Sequence, residues 1–350
     1  MARRLTTPGE GWVAFGSRGR RGWSCQGRRA ACRKRRAWCI WGGQGLYSQR
    51  NKRWERPALA AGQRFGVTIA FTGQATPADR DELAEALQVM GLLGGLGARS
   101  RRGWGSVRLL SLARDGEEQL GAKFGSVEGL RATMGPLLGR AQAMAEEPPY
   151  SAFWRGTRIV AVEGRSDDAV EVLEELGKEM VRFRAFGQTA RGSQTVLGEA
   201  AEQNFVDDHD AMQAAARAQG VAGVPRRAVF GLPHNYFFSS GAGKIDVGTS
   251  SARMDRRASP LLLHAHGVEA GRAVGVLTFF PARFLPPEVQ VKVGKGAGGQ
   301  RAPRPSPELW EPIHGYLGRF LDPASRPSRA TPLNLEAGVE LAALAAQEHR

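Results

Sequence analysis

The sequence predicts an α+β fold built from small split βαβ units. A strand followed by a helix occurs twice, at residues 64–92 and 156–184, and later strands form antiparallel patterns separated by long inserted loops. With 350 residues the chain is long enough for two ordinary domains. We place an atypical segment at 1–60, a first domain at 61–150, a second at 151–293 with an insertion at 187–225, and a Pro/Gly/Arg-rich linker with C-terminal helices at 294–350.

The first block begins where regular patterning begins, with an alternating run typical of a strand. Thr76 and Pro77 then supply a cap and a first-turn proline for a helix. The predicted elements are a strand at 64–71, a helix at 77–92, a glycine-rich loop at 94–105 and a strand at 106–112.

The second block repeats the order of strand and helix and then becomes irregular. Its helix has an apolar face with helical spacing. The predicted elements are a strand at 156–163, a helix at 167–184, one helix near 208–218, a short strand at 228–231, a Gly/Ser-rich excursion at 235–251, paired strands at 259–266 and 273–280, and helices at 307–321 and 335–347.

The net charge of +15 is unevenly distributed. Residues 1–60 hold 15 Lys and Arg against Glu10 and Glu55, so this segment carries +13 and residues 61–350 carry only +2. The segment lacks helical or strand periodicity. Two interpretations stay open: a basic, aromatic arm that contacts RNA, or sequence that never had to fold, as after a misplaced start codon or an upstream frameshift.

Composition also indicates a cellular location. No run of about 18 apolar residues offers a membrane span. The chain has three cysteines, none of them after residue 39, and their even spacing matches no common zinc pattern. Disulfides are therefore not expected in the body of the protein, and we predict a cytoplasmic protein.

The segment from Gly94 to Gly105, which we call the glycine–arginine loop, is the most informative stretch. Its glycines let backbone N–H groups approach a phosphate closely, and its three arginines supply charge and forked donors. Trp104 could stack on a base or pack beneath the loop. The alternative for the whole segment is a glycine-rich turn with solvated arginines. It lacks the ending of a Walker loop, and it follows a helix, whereas a dinucleotide fingerprint follows a strand.

Four segments carry a resemblance to a known family. They are residues 92–107, which read LLGGLGARSRRGWGSV, 229–233 (VFGLP), 256–261 (RRASPL) and 279–286 (FFPARFLP). With them the sequence resembles the RAMP superfamily of CRISPR proteins, whose signature is a glycine-rich loop of this type after a helix. Within that superfamily it looks most like the subunit numbered one of the type III-B Cmr effector complex, over roughly residues 62–290.

The resemblance implies tandem ferredoxin-like (RRM-like) folds and a non-catalytic role in antiviral defence. The implied partners are guide RNA towards its 3′ end, target RNA and other RAMP subunits, with no cofactor, membrane or small-molecule substrate. Family members open with a first strand that has no clear equivalent in residues 1–60, so the first domain is expected to lack it. The candidate RNA-binding residues are Gly94, Gly95, Gly97, Arg99, Arg101, Arg102, Gly103, Trp104, His234, Lys244, Arg256 and Arg257.

Histidines and acidic clusters are the candidates for catalytic or metal sites. His264 and His266 share one face of a strand, which a metal pair would need, but a structural role is favoured because no Cys, Asp or Glu partner is near in sequence. The run 207–210 (DDHD) suits the start of a helix better than a metal site. We therefore expect no metal.

Two other functions stay open. A RAMP endoribonuclease that processes guide RNA would need a general acid or base, and His234 with Lys244 is the only defensible pair. A protein–protein assembly module would use the basic loop to contact another subunit without touching RNA.

Overall fold

A computed structural model describes most of the chain from residue 63 onwards. The described residues are 63–114, 117–121, 127–141, 146–190, 193–238, 241, 243–267, 271–294, 299–303, 305, 308–327 and 333–343, together with the backbone of 12–16, 47–48 and 53–54. Within these ranges the structure is mixed α+β, with antiparallel sheets and five helices. The α+β prediction is confirmed at this level.

The strands in chain order are β1 (Trp12–Gly16), β2 (Tyr47–Ser48), β3 (Arg53–Trp54), β4 (Gly66–Ala70), β5 (Ser111–Arg114), β6 (Glu117–Gly121), β7 (Arg158–Glu163), β8 (Gln188–Ala190), β9 (Ser193–Val196), β10 (Glu199–Ala200), β11 (His234–Phe238), β12 (Gly243–Thr249), β13 (Leu261–His266), β14 (Val274–Phe279), β15 (Val291–Gly294), β16 (Gln300–Arg301) and β17 (Val339–Ala343). The helices are α1 (Pro77–Leu93), α2 (Val127–Ala141), α3 (Ala169–Arg184), α4 (Val206–Ala216) and α5 (Glu311–Leu321), with 3-10 turns at Arg226–Phe230 and Pro323–Ser325.

A central four-stranded sheet organises the molecule. Its order is β13-β14-β7-β17, and every neighbouring pair is antiparallel. Side chains alternate along β7, so Val160 and Val162 enter the core on one face while Ile159 and Ala161 enter the core on the other. Both faces are covered, which is why this strand reads as an unbroken apolar run.

Two helices cover each face of the central sheet. On one face α3 lies over β13 and β14 while α5 lies over β7 and β17; on the other, α1 lies over β13 and α2 over β17. The elements β7, α3, β13, β14, α5 and β17 therefore follow the chain as β-α-β-β-α-β. β13 is an edge strand of this sheet, so its outer side is open to another segment.

A second antiparallel sheet, in the order β11-β12-β15-β16, packs against α4. Met212 of α4 sits in a core with Tyr236, Ile245 and Val293. The remaining pairings are small: β8, β9 and β10 form a three-stranded sheet, and β5 pairs with β6. Our predictions for residues 1–60 lie outside the described residues. Within that segment the structure describes the backbone of three short strands: β2 pairs with β3, and β1 pairs with β4.

Elements with strong local signals were predicted correctly. α1 begins as expected at Thr76, whose hydroxyl accepts from the Asp79 amide (3.2 Å) while the Asp79 carboxylate accepts from the Thr76 amide (2.7 Å). α3 buries Leu173, Leu176 and Met180, as its spacing indicated. The paired strands β13 and β14 and the helices α4 and α5 are confirmed as well.

Three predictions near the second sheet and the C-terminus were wrong. The strand expected at 228–231 is part of a 3-10 turn, since Pro225 and Gly231 (φ +121°) bracket it and i→i+3 hydrogen bonds close it. The excursion expected at 235–251 is the hairpin β11–β12, whose inward side chains alternate. The helix expected at 335–347 contains the strand β17, because pairing with β7 overrides the helix propensity of Ala, Leu and Glu there.

Other elements were shifted or missed. The strand predicted at 106–112 begins only at Ser111, because Ser106 is held in contacts of the glycine–arginine loop. α2 was not predicted, since Gly129, Gly135 and Pro136 interrupt its pattern. The insertion at 187–225 contains the predicted helix and, in addition, three short strands.

Candidate nucleic-acid interface

The glycine–arginine loop lies along the open edge of β13. The Leu263 amide donates to the Arg101 carbonyl (3.0 Å), and Arg102 pairs with Leu263 in a parallel bridge. The loop starts at the end of α1 on one face of the central sheet and reaches Leu173 of α3 on the other. It therefore wraps around the edge and shields the backbone groups of that strand.

Glycine is required at two points where the loop closes. A Cβ built on Gly103, which has φ +78°, would lie 2.3 Å from the Leu173 Cδ2 atom. A Cβ on Gly105, with φ +80°, would lie 2.1 Å from the Leu96 carbonyl oxygen. Leu96 donates its amide to the Gly105 carbonyl (2.9 Å), so these two residues form the base of the loop. Gly103 therefore lets the loop pack against α3, and Gly105 lets the two ends of the loop approach each other.

The other glycines named from the sequence have different surroundings. Gly94 ends α1, donating its amide to the Met90 carbonyl (2.9 Å), and Gly95 pairs with Ser106. Gly97, at φ +91°, is exposed, and a Cβ there would meet no heavy atom within 4 Å. Among the glycines of the loop, Gly97 thus has the most open space around its Cα atom.

The buried histidines His264 and His266 hold the start of the loop. His264 Nδ1 lies 2.5 Å from the Gly94 carbonyl oxygen and His266 Nε2 lies 2.9 Å from the Leu92 carbonyl oxygen. The two rings also contact each other, with His264 Nε2 lying 3.3 Å from His266 Nδ1. These contacts agree with the structural role expected for the pair, because they fix the backbone where α1 ends and the loop begins.

Acidification is expected to destabilise the protein through this pair. Burial lowers the pKa of His264 to about 3, an effect that the charge of His266 increases, and burial lowers the pKa of His266 to about 4. Between pH 6.5 and 4 the unfolded chain therefore binds protons that the folded chain excludes, and stability falls as pH falls, by roughly 1–2 kcal/mol per histidine between pH 7 and 5. Urea unfolding at both pH values checks this. His266→Gln should lose less stability on acidification than the wild type, and an equal loss would contradict the assignment.

The three loop arginines have different roles. Arg101 is turned inward, with Nη1 donating to the Ser259 carbonyl (2.6 Å) and to Ser151 Oγ (3.3 Å). Arg99 and Arg102 are half-buried, and burial together with the charge of Arg99 lowers the pKa of Arg102 to about 10. Arg101 thus fixes the loop to the body, while Arg99 and Arg102 keep their charges near each other.

Two arginines from other elements join them. Arg184 is the last residue of α3 and Arg227 belongs to the 3-10 turn before β11. Burial and the charges of Arg227 and Arg102 lower the pKa of Arg184 to about 9. We call Arg99, Arg102, Arg184 and Arg227 the arginine cluster; pKa values of about 10 for Arg102 and about 9 for Arg184 keep these two side chains charged at pH 7.

Sequence reasoning missed Arg184 and Arg227. Arg184 lies at the end of a predicted helix, where a basic residue is ordinary, and Arg227 lies 43 positions further along the chain. The doublet Arg226–Arg227, just before the 229–233 segment of the resemblance, was the available signal. Only the packing of the turn against α3 brings the two side chains together.

Asp208 positions the turn that carries Arg227. Its carboxylate accepts from the amides of Arg226 and Arg227, both at 2.7 Å, and burial raises the pKa of Asp208 despite these bonds. Asp207 and Asp208 lie in the first turn of α4, as expected for the acidic run. In the described ranges, no group of three or more His, Cys, Asp and Glu side chains is arranged to hold a metal ion.

His234 and Lys244 are not brought together. In the hairpin His234 pairs with Val247, whereas Lys244 pairs with Phe237 at the other end. His234 is on the side of β11 that carries the buried Tyr236, and Lys244 is on the exposed side, 2.7 Å from Asp246 Oδ1. Burial, with the charges of Arg227 and Arg184, lowers the pKa of His234 to about 2, which makes it a very weak base.

The remaining sequence candidates lie at or near the same hairpin. Arg257 is buried: its Nε donates to the Phe284 carbonyl (2.6 Å) and its guanidinium stacks on Phe284 and Trp310. Its backbone pairs with Leu232, two residues before β11. The neighbouring Arg256 has a side chain that is 80% exposed. Arg257 therefore holds the segment in place, and Arg256 reaches solvent.

Trp104 is half-buried at the end of the loop.

No protein-family model, no curated protein and no solved structure matches the chain. None of the helices in the described ranges combines the length and apolar character needed to cross a membrane.

Proposed function

We propose that this chain is a non-catalytic RNA-binding subunit of a type III-B CRISPR (Cmr) effector complex. It contacts guide RNA towards its 3′ end, target RNA, or both, in antiviral defence. One observation carries the proposal: the arginine cluster gathers four positive charges from the glycine–arginine loop, α3 and the 3-10 turn within one region. Such a group of forked donors suits the phosphates of a nucleic acid.

The topology of the central sheet supports the proposed family. In the proposal, the order β-α-β-β-α-β, with the first and third strands at the centre and both helices on one face, represents a ferredoxin-like unit with further elements inserted along the chain. In the proposal this unit is the second of two RRM-like RAMP folds, and the glycine-rich loop after α1 belongs to the first.

Binding in this proposal is independent of base sequence. Arginine forks and glycine backbone amides recognise phosphate, which positions RNA without reading it. Lys244 and Arg256 are exposed, and in the proposal they are further contacts to phosphate. The separation of His234 from Lys244 and the very low basicity of His234 favour this function over an endoribonuclease.

Assembly with other RAMP subunits needs apolar surface, and β4 supplies some. Val67 lies in this strand and is 43% exposed, and Phe65 and Phe71, which flank the strand, are 52% and 37% exposed. Large exposed apolar groups on one side of a strand are typical of a contact with another protein. In the proposal this surface faces a neighbouring subunit.

Binding of full-length protein to two unrelated single-stranded RNAs of guide length tests the proposal. Four phosphate contacts predict that the Kd rises about 50-fold between 50 and 200 mM salt, since each contact adds about 0.7 to the slope of log Kd against log salt concentration. The two RNAs should bind equally and stay intact during incubation. Cleavage would favour the endoribonuclease, and absence of binding at 50 mM salt would favour the assembly module.

A further inference from the structure

We propose that Arg184 and Arg227, with Arg102 and His234 beside them, form a built site for a single phosphate group. This inference deepens the proposed function and rests on it for the identity of the ligand, an RNA backbone phosphate. It assigns a fixed anchoring point to residues that lie outside the glycine–arginine loop.

Aromatic rings hold the two guanidinium groups. The Arg184 Cζ atom lies 4.7 Å from the centre of the Phe230 ring, and the Arg227 Cζ atom lies 5.1 Å from the centre of the Tyr236 ring. A guanidinium that stacks on a ring keeps its N–H groups in plane and free to point sideways. Both groups are thus pre-ordered before any ligand binds, which lowers the entropy cost of binding.

Several donors of this site lack an internal acceptor. The buried Nε atoms of Arg184 and Arg227 and the Nε2 atom of His234 have no hydrogen-bond partner among the residues that the structure describes. Leaving a buried donor unpaired is unfavourable, and native proteins rarely do so without a functional reason. Two unpaired arginine N–H groups, with the unpartnered Nε2 atom of His234 beside them, indicate an external acceptor with several oxygens.

The charge of the site also favours an anion. The groups that shift the pKa of Arg184 are two arginines and two tyrosines, none of them a carboxylate. Asp208, whose charge acts on Arg227, already accepts the amides of Arg226 and Arg227. Because like charges repel more strongly where water is scarce, a bound anion relieves this repulsion.

A phosphate fits this arrangement better than other anions. Donors reach the site from α3, the 3-10 turn and β11, and the aromatic rings supply apolar walls. A tetrahedral oxyanion can accept from separate directions at once, whereas a planar carboxylate accepts best from one fork. The adjoining loop then offers Arg99 and Arg102 to the neighbouring phosphates of the same strand.

The first arm of the test uses inorganic phosphate on the full-length protein. At constant ionic strength, 50 mM phosphate in place of chloride should raise the melting temperature of the wild type by about 2 °C or more. The increase should vanish in Arg184→Gln/Arg227→Gln and persist in Arg165→Gln/Arg272→Gln, a control pair of exposed arginines that contact Glu336. If the first pair does not fold, Arg227→Lys keeps the charge but loses the fork, and it should show a reduced increase.

The second arm uses guide-length RNA and separates the two proposals. Arg184→Gln/Arg227→Gln should weaken binding about 10-fold and lower the logarithmic salt slope by roughly 1.4, because two phosphate-binding arginines are lost. If that variant keeps both its phosphate response and its RNA affinity, the phosphate site is refuted while RNA binding stands. If the variant loses the phosphate response but the wild type does not bind RNA, the site exists and the proposed function fails.

Discussion

Gly105→Ala is expected to disrupt the glycine–arginine loop and to abolish most RNA binding. The new Cβ would lie 2.1 Å from the Leu96 carbonyl oxygen, an atom of the backbone that cannot rotate away. The positive φ costs about 1–2 kcal/mol for alanine, and the collision adds about 1–3 kcal/mol. Because Leu96 and Gly105 join the two ends of the loop, the loop must open to relieve the collision.

Gly97→Ala is the matched control for this change. Gly97 also has a positive φ, +91°, but a Cβ there would meet no heavy atom within 4 Å. It should therefore lose only about 1–2 kcal/mol of stability, keep its backbone N–H group, and retain more RNA affinity than Gly105→Ala. Urea unfolding and RNA binding of both variants measure the difference. Equal losses in the two variants would show that the closure at Gly105 does not organise the loop.

Arg319→Met is expected to destabilise the protein by about 3–5 kcal/mol. Arg319 on α5 donates to Glu179 of α3 (2.6 Å) and to Glu202, and its guanidinium stacks on Phe183. Glu179 is fully buried, so removal of the guanidinium leaves two carboxylates in a region of low dielectric. Methionine keeps most of the side-chain volume, so the expected loss of stability comes from the missing positive charge and not from a cavity.

The pH dependence of this variant separates charge from packing. Without Arg319 two carboxylates lie side by side without a positive partner, and protonation of either one relieves their repulsion. As the pH falls from 7 to 5, the variant should therefore regain part of the stability that it lost relative to the wild type. Arg165→Met, which removes a surface ion pair with Glu336, should change stability by less than about 0.5 kcal/mol. A deficit for Arg319→Met that does not shrink on acidification would indicate a packing defect.

The parts of the fold that sequence predicted are those with local causes. The cap at Thr76 and the apolar face of α3 are properties of adjacent residues, and both elements form as expected. β17 shows the opposite case, because its Ala, Leu and Glu residues favour a helix and only the partner strand β7 makes them a strand. The same holds for β11, whose inward side chains are stabilised by α4.

In the candidate site, too, features with local causes were predicted from the sequence and features that depend on distant residues were not. The glycine–arginine loop was identified from sequence because its glycines and arginines are contiguous. The inward turn of Arg101 could not be predicted, since its acceptor, the carbonyl of Ser259, lies 158 residues away. Arg184 and Arg227 were missed for the same reason: their common region exists only after α3, the 3-10 turn and the loop have packed together.

RNA binding by the full-length protein in a salt series is the most direct test of the central claim, with Arg99→Gln/Arg102→Gln compared against Arg165→Gln/Arg272→Gln. Both variants lose two positive charges, but only the first pair belongs to the arginine cluster. We expect the first variant to lose about 1.4 from the slope of log Kd against log salt concentration and at least about 10-fold in affinity, while the second stays close to the wild type. Equal effects of the two variants would mean that RNA responds only to net charge, and the glycine–arginine loop would not be its binding site.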